Sequence, residues 1–152
     1  MNIGRLLRQK GIIGIRLELP YLEADISLEN ADREAAFELY VDLLCLLPAN
    51  DIEAIEAPYY LEKAASFFAI GRALMHKYGR KAKHFSRITV LLLNRDIRPF
   101  TTEWHQYRHD SSSYEAMAKA YNRLLPQLQA FVSIYAELAQ ATDLTGLQQT
   151  DD

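Results

Sequence analysis

A single cysteine, Cys45, leaves no partner for a disulfide within the 152-residue chain. It sits in the apolar run Val41–Leu47, which predicts a buried structural thiol rather than a nucleophile. No stretch approaches the roughly 18 consecutive apolar residues of a membrane span, and Met1–Lys10 has no apolar run long enough for a signal peptide. A soluble, cytoplasmic, reducing setting with no membrane partner is expected. Glycine (six) and proline (five) are too few for a low-complexity or linker-rich chain, and no internal repeat is visible. Charge of one sign is also scarce: 17 Lys and Arg face 20 Asp and Glu, with a net charge of −3. Nucleic acid is therefore not an expected partner, because its binders normally show clustered cations. Gly-rich phosphate loops, Glu-x-x-His pairs and a Ser-His-Asp order are all missing, so no metal or cofactor is expected.

What is present is hydrophobic periodicity. Ile3, Leu6 and Leu7 fit a short amphipathic turn. Residues 11–29 alternate with period two: Ile13, Ile15, Leu17 and Leu19, then, with the phase flipped after Pro20–Tyr21, Leu22, Ala24, Ile26 and Leu28. Strand side chains alternate faces and one extra residue switches them, so this segment reads as a β hairpin or a bulged strand. Helical spacing takes over at Asn30, an N-cap candidate followed by Asp32 and Glu34, and runs to about Leu47, where Pro48 stops it. Tyr60, Ala64, Phe67, Gly71, Leu74 and Tyr78 form the stripe of a second helix opened by Pro58 and closed by Gly79. A third helix starts near Lys81, and Pro99 inside it predicts a kink or break. In the last, Tyr114 to about Ala141, the residues Tyr114, Met117, Tyr121, Leu124, Leu128, Phe131, Tyr135 and Leu138 keep heptad spacing, with Pro126 expected to bend it. Four long helices with short connections predict a mainly α (minor α+β) fold: an up-down four-helix bundle over residues 1–142, with residues 143–152 as a flexible tail.

The polar constellations are few. Arg98 and His105 in the run RPFTTEWH resemble the nuclease motif of HEPN-type ribonucleases, which implies His105 as acid/base and Arg98 as stabiliser of the phosphorane charge. Pro99 stands where that motif usually carries a polar residue. A seven-residue helical step separates the two by about 10 Å along the axis, and a break at Pro99 would shorten it. The plainer expectation is a polar face of Asn94, Arg98, Thr101 and His105, with Arg98 paired to Glu38 or Asp42. The row Glu34, Glu38 and Asp42 reads as a solvated face, or as partners for Arg95 and Arg98. His105 and His109 lie four apart without a third ligand. The locally basic stretch Arg72–Arg87 makes Arg80, Lys81 and Lys83 candidates for a small anionic ligand or nucleotide. Tyr59, Tyr60, Tyr114, Tyr121 and Tyr135 fit core packing first, or a groove.

The runs GIRLELPYLEADISLENADREAAFELYVDLL (Gly14–Leu44), LNRDIRPFTTEWH (Leu93–His105) and FVSIYAELAQATDL (Phe131–Leu144) resemble a family of small bacterial helical proteins with no assigned activity. Its members occur among genes for multi-component conflict or defence systems, so the resemblance implies an accessory or adaptor role. The favoured expectation is thus a non-enzymatic protein–protein interaction module. Its partner is another protein or a second copy, met through the β edge (Ile15, Leu17, Ile26) or the last helix (Tyr114, Tyr121, Tyr135). The alternatives are a metal-independent ribonuclease and a ligand-sensing bundle.

Overall fold

Asn2 begins the chain's first helix as a true cap: its side chain accepts the Arg5 N–H at 2.8 Å. The helix α1 (Ile3–Gln9) buries Ile3, Leu6 and Leu7. The computed structural model describes residues 1–12 and 24–140. Among them there is no strand. Where the hairpin or bulged strand was expected, residues 24–29 make one antiparallel bridge, Asp25 with Asn2, with Ile26 N–H donating to Met1 C=O at 2.7 Å. The segment pairs with the start of α1, whose own turn ends the contact after one bridge. Ile15 and Leu17, like the tail 143–152, lie outside the described residues.

The four rods follow the expected order. Helix α2 (Asn30–Leu46) starts one residue earlier than a cap at Asn30 would allow, because Glu29 is the cap and forms a reciprocal capping box with Asp32. Helix α3 (Ala57–Tyr78) opens on Pro58 and closes at Gly79, whose φ of 61° suits a residue without Cβ. A 3₁₀ turn over Gly79–Ala82 then leads into α4 (Lys83–Leu92). The third rod is irregular where Pro99 was expected to disturb it. Proline has no N–H for the Arg95 carbonyl. The chain responds one turn earlier, with a π-turn over Leu93–Ile97 in which the Arg98 N–H reaches back five residues to Leu93 C=O. Regular helix resumes as α5 (Arg98–Trp104), and after two 3₁₀ turns the last helix, α6 (Tyr114–Ala139), runs through Pro126.

Cross-contacts tie the rods into one helical bundle. Glu38 of α2 meets Lys77 of α3; Phe85 of α4 packs on Tyr135, and Phe100 of α5 on Tyr121, at opposite ends of α6. The heptad seam of α6 faces inward: Met117, Tyr121, Leu128, Phe131, Tyr135 and Leu138 are all buried. Each such side chain contributes about 1.5–3 kcal/mol of burial. Cys45 corrects the buried-thiol expectation, for it is exposed. Leu43 in α2 and Leu47 just past its end take inner positions, and Cys45, two residues from each, lies near the opposite face. No described helix is long and apolar enough to cross a membrane.

Candidate functional site

Two kinds of polar group emerge, those spent on the fold and those facing out. Asp32 belongs to the first. It is 1% exposed, and its Oδ2 accepts the Glu29 N–H at 2.9 Å while Oδ1 accepts the Phe85 N–H at 2.9 Å. One carboxylate thus caps the starts of α2 and α4 together. This bears on the anion site expected at Arg80, Lys81 and Lys83. All three are exposed, but the Phe85 amide in the first turn of α4 already serves Asp32 and is closed to a phosphate. His84, next in the chain, is buried, and burial pushes its imidazole below the usual histidine range against the pull of Asp32.

Asn122 works in the same way. Its side chain accepts the Ile52 N–H at 2.7 Å and donates to the Ile52 C=O at 3.0 Å, as a neighbouring strand would. Gln129 donates to Ala49 C=O at 3.2 Å, so α6 holds the α2–α3 connection at two points. A shallow cleft of about 410 Å³ lies between this loop (Ala49, Asn50, Asp51) and the Leu125–Pro126 step of α6. Inside the bundle, Tyr135 OH and Thr89 Oγ1 share a hydrogen bond of 2.8 Å beside a small cavity of about 20 Å³ under the π-turn. Burial raises the phenols of Tyr121 and Tyr135 well above the usual tyrosine range.

These burials correct the interaction role expected for Tyr121 and Tyr135, because the chain's own core consumes both rings. Tyr114 is half-buried and donates to Arg108 C=O at 3.2 Å. Ile26 is half-buried against the core.

Arg98 and His105 are both exposed. The irregularity that would shorten their separation precedes Arg98 instead of following it, so α5 keeps its rise between them, about 10 Å. Arg98 does not pair with Glu38 or Asp42. Its Nε donates to Asn94 Oδ1 at 2.8 Å, and its guanidinium lies 4.9 Å over the Phe68 ring. Arg95 pairs with its neighbour Asp96 at 3.2 Å. Burial raises the Asp96 carboxyl, and Arg95 opposes that shift. In the carboxylate row, Lys77 binds Glu38 at 2.5 Å and holds it below the usual carboxylate range. Asp42 is raised by burial and by Glu38. No group of His, Cys, Asp or Glu among the described residues is placed to hold a metal ion.

Exposed apolar side chains include Phe37 on α2 and Val90 on α4, and three more, Ile55, Tyr59 and Tyr107, lie near the start of α3 and the end of α5. Ile55 is 82% exposed and Tyr59 is 55% exposed. Tyr59 packs edge-on against Tyr60 at 5.0 Å, Tyr60 against Tyr121 at 5.4 Å, and Tyr121 against Phe100 at 5.8 Å. Lys63 Nζ lies 4.9 Å from the Tyr59 ring centre. The Asp32 bridge and the Asn122 clamp were missed in the sequence; an acid three residues after Glu29 was the available signal for the first, and nothing local signalled the second. No family model matches the chain, and no curated protein or solved structure matches it significantly.

Proposed function

We propose that the chain is a non-enzymatic helical interaction module, an accessory component of a bacterial multi-component system. The observation that carries this reading is the aromatic end of the bundle. Ile55 and Tyr59 stand in solvent four residues apart, and ring contacts brace Tyr59 through Tyr60 to the buried Tyr121. An exposed ring on a rigid base loses little freedom on binding and matches the aromatic anchors that dominate protein interfaces. Two of the three buried polar side chains among the described residues, Asp32 and Thr89, are engaged in fold contacts, which fits a scaffold. The bacterial conflict-system setting rests on the sequence resemblance alone.

Photocrosslinking from position 59 in the native cell, with position 119 as control, identifies the partner, and titration of that purified partner then tests the surface. Tyr59→Ala should weaken binding by about 2 kcal/mol, roughly thirtyfold; unchanged affinity refutes the surface. Metal-independent RNA cleavage by the wild type, lost in a folded His105→Ala variant, would replace this reading with the ribonuclease one.

A further inference from the structure

From Lys63 to Arg95 the chain carries eight lysines and arginines and no aspartate or glutamate. The other residues hold nine basic side chains against twenty acidic ones. A nearly balanced net charge therefore conceals a strongly polarised molecule. In the fold the acid-free segment is a helical hairpin: most of α3, the turn at Gly79–Ala82, α4 and the start of the π-turn. Gly71 lets its two arms close up, since a Cβ there would meet Leu93 Cδ1 at 3.2 Å and Thr89 Cγ2 at 3.3 Å. The outer sides of α3 and α4 consequently form one continuous surface. Arg72, Arg80, Lys81 and Lys83 are exposed on the hairpin, while Lys77 and Arg95 have carboxylate partners in Glu38 and Asp96.

We infer that the outer face of this hairpin is the docking surface for an acidic, partly apolar protein segment. The inference rests on the interaction-module reading and specifies its partner. Three observations favour this occupant. Arg98, just past the hairpin's end, is held by Asn94 and Phe68, and its terminal nitrogens carry no hydrogen bond among the described residues. That leaves a pre-oriented fork that fits a carboxylate through two bonds. Val90, 44% exposed, and the half-buried Phe68 and Leu91 add apolar surface on the same two helices. Finally, the charge is confined. A nucleic acid's phosphates would extend past the hairpin and run along the acidic remainder, within reach of its repulsion over a screening length of about 8 Å. A segment short enough to lie on the hairpin avoids most of that repulsion.

The test titrates the full chain into a labelled helical peptide carrying Glu, Asp and Leu interspersed on one face, by fluorescence anisotropy at low and high salt. A single-stranded oligoribonucleotide is measured in parallel. Wild type should bind the peptide more tightly than the RNA, with affinity falling about tenfold or more as salt rises, since clustered exposed charges are salt-screened. Arg72→Glu/Arg98→Glu and, independently, Lys81→Glu/Lys83→Glu should each weaken peptide binding at least about tenfold. Arg123→Glu, exposed on α6, should change it less than about twofold. Circular dichroism confirms that each variant is folded. Tighter binding of the RNA overturns the assignment to a protein segment, and no binding of the peptide, or wild-type affinity in either hairpin variant, overturns the surface itself. If Tyr59→Ala still weakens the crosslinked partner while the hairpin variants do not, the module reading stands and the hairpin inference alone falls.

Discussion

Replacing Asp32 should cost the fold more than any other polar substitution among the described residues. Its carboxylate is 1% exposed and accepts two backbone N–H groups, Glu29 and Phe85, each at 2.9 Å. Hydrogen bonds to a charged group are worth about 1.5–3 kcal/mol each, and removing the acceptor leaves buried donors unpaired. Asp32→Ala should therefore lose roughly 3–5 kcal/mol, a large share of a stability on the order of 5–15 kcal/mol. At about 2–4 °C per kcal/mol for a chain of this size, Tm should fall by roughly 10 °C. Asp32→Asn keeps one acceptor oxygen but turns an amide NH₂ toward the other donor, so about half that loss is expected. Urea unfolding followed by circular dichroism gives the energy, and hydrogen exchange gives the location: the Glu29 and Phe85 amides should speed up together, although 56 positions separate them in sequence. A loss under about 1 kcal/mol in Asp32→Ala, or faster exchange at Glu29 with Phe85 unchanged, would refute the shared cap.

Asn122→Ala removes both bonds to Ile52 and should destabilise by about 1–3 kcal/mol, with faster exchange at the Ile52 amide; unchanged exchange there would contradict the clamp. Tyr135→Phe and Thr89→Val each leave half of a buried pair and should cost about 1–2 kcal/mol. The double variant should cost less than the sum, and strict additivity in the cycle would argue that the bond is absent in solution. Asp42 has a folded-state carboxyl above its ordinary value of 3.8, so its ionised form is disfavoured by the fold at neutral pH and the penalty vanishes as pH falls to that ordinary value. Asp42→Asn should accordingly raise Tm at pH 7 and lose that advantage by about pH 4; a gain independent of pH would exclude the charge as its cause.

How much of this was readable in advance depends on range. Helices α2, α3 and α6 were legible because their buried stripes recur at helical spacing and because Pro48, Pro58 and Gly79 punctuate them. Pro99 announced an irregularity but not its form, since the choice between a kink and a π-turn depends on whether Leu93 and Ile97 can keep their inward positions. Cys45 was misplaced because the continuous apolar residues Leu43–Leu47 hide the phase of the helix. The partners of Arg98 were missed for a related reason: Asn94 lies one turn away, but Phe68 comes from another rod. The hairpin's charge could be counted from residue letters, yet it became a surface only once Gly71 brought α3 against α4. The Asn122 clamp spans 70 residues, and no local signal reports such a pairing.

The claim that the α6 seam is spent inside the chain, leaving the hairpin and the aromatic end for a foreign partner, is tested most directly by absolute mass from light scattering across a wide concentration range. A mass near 17.4 kDa throughout is the expected result. A stable dimer that persists on dilution and resists salt would contradict it, placing an apolar face of this chain against its own copy.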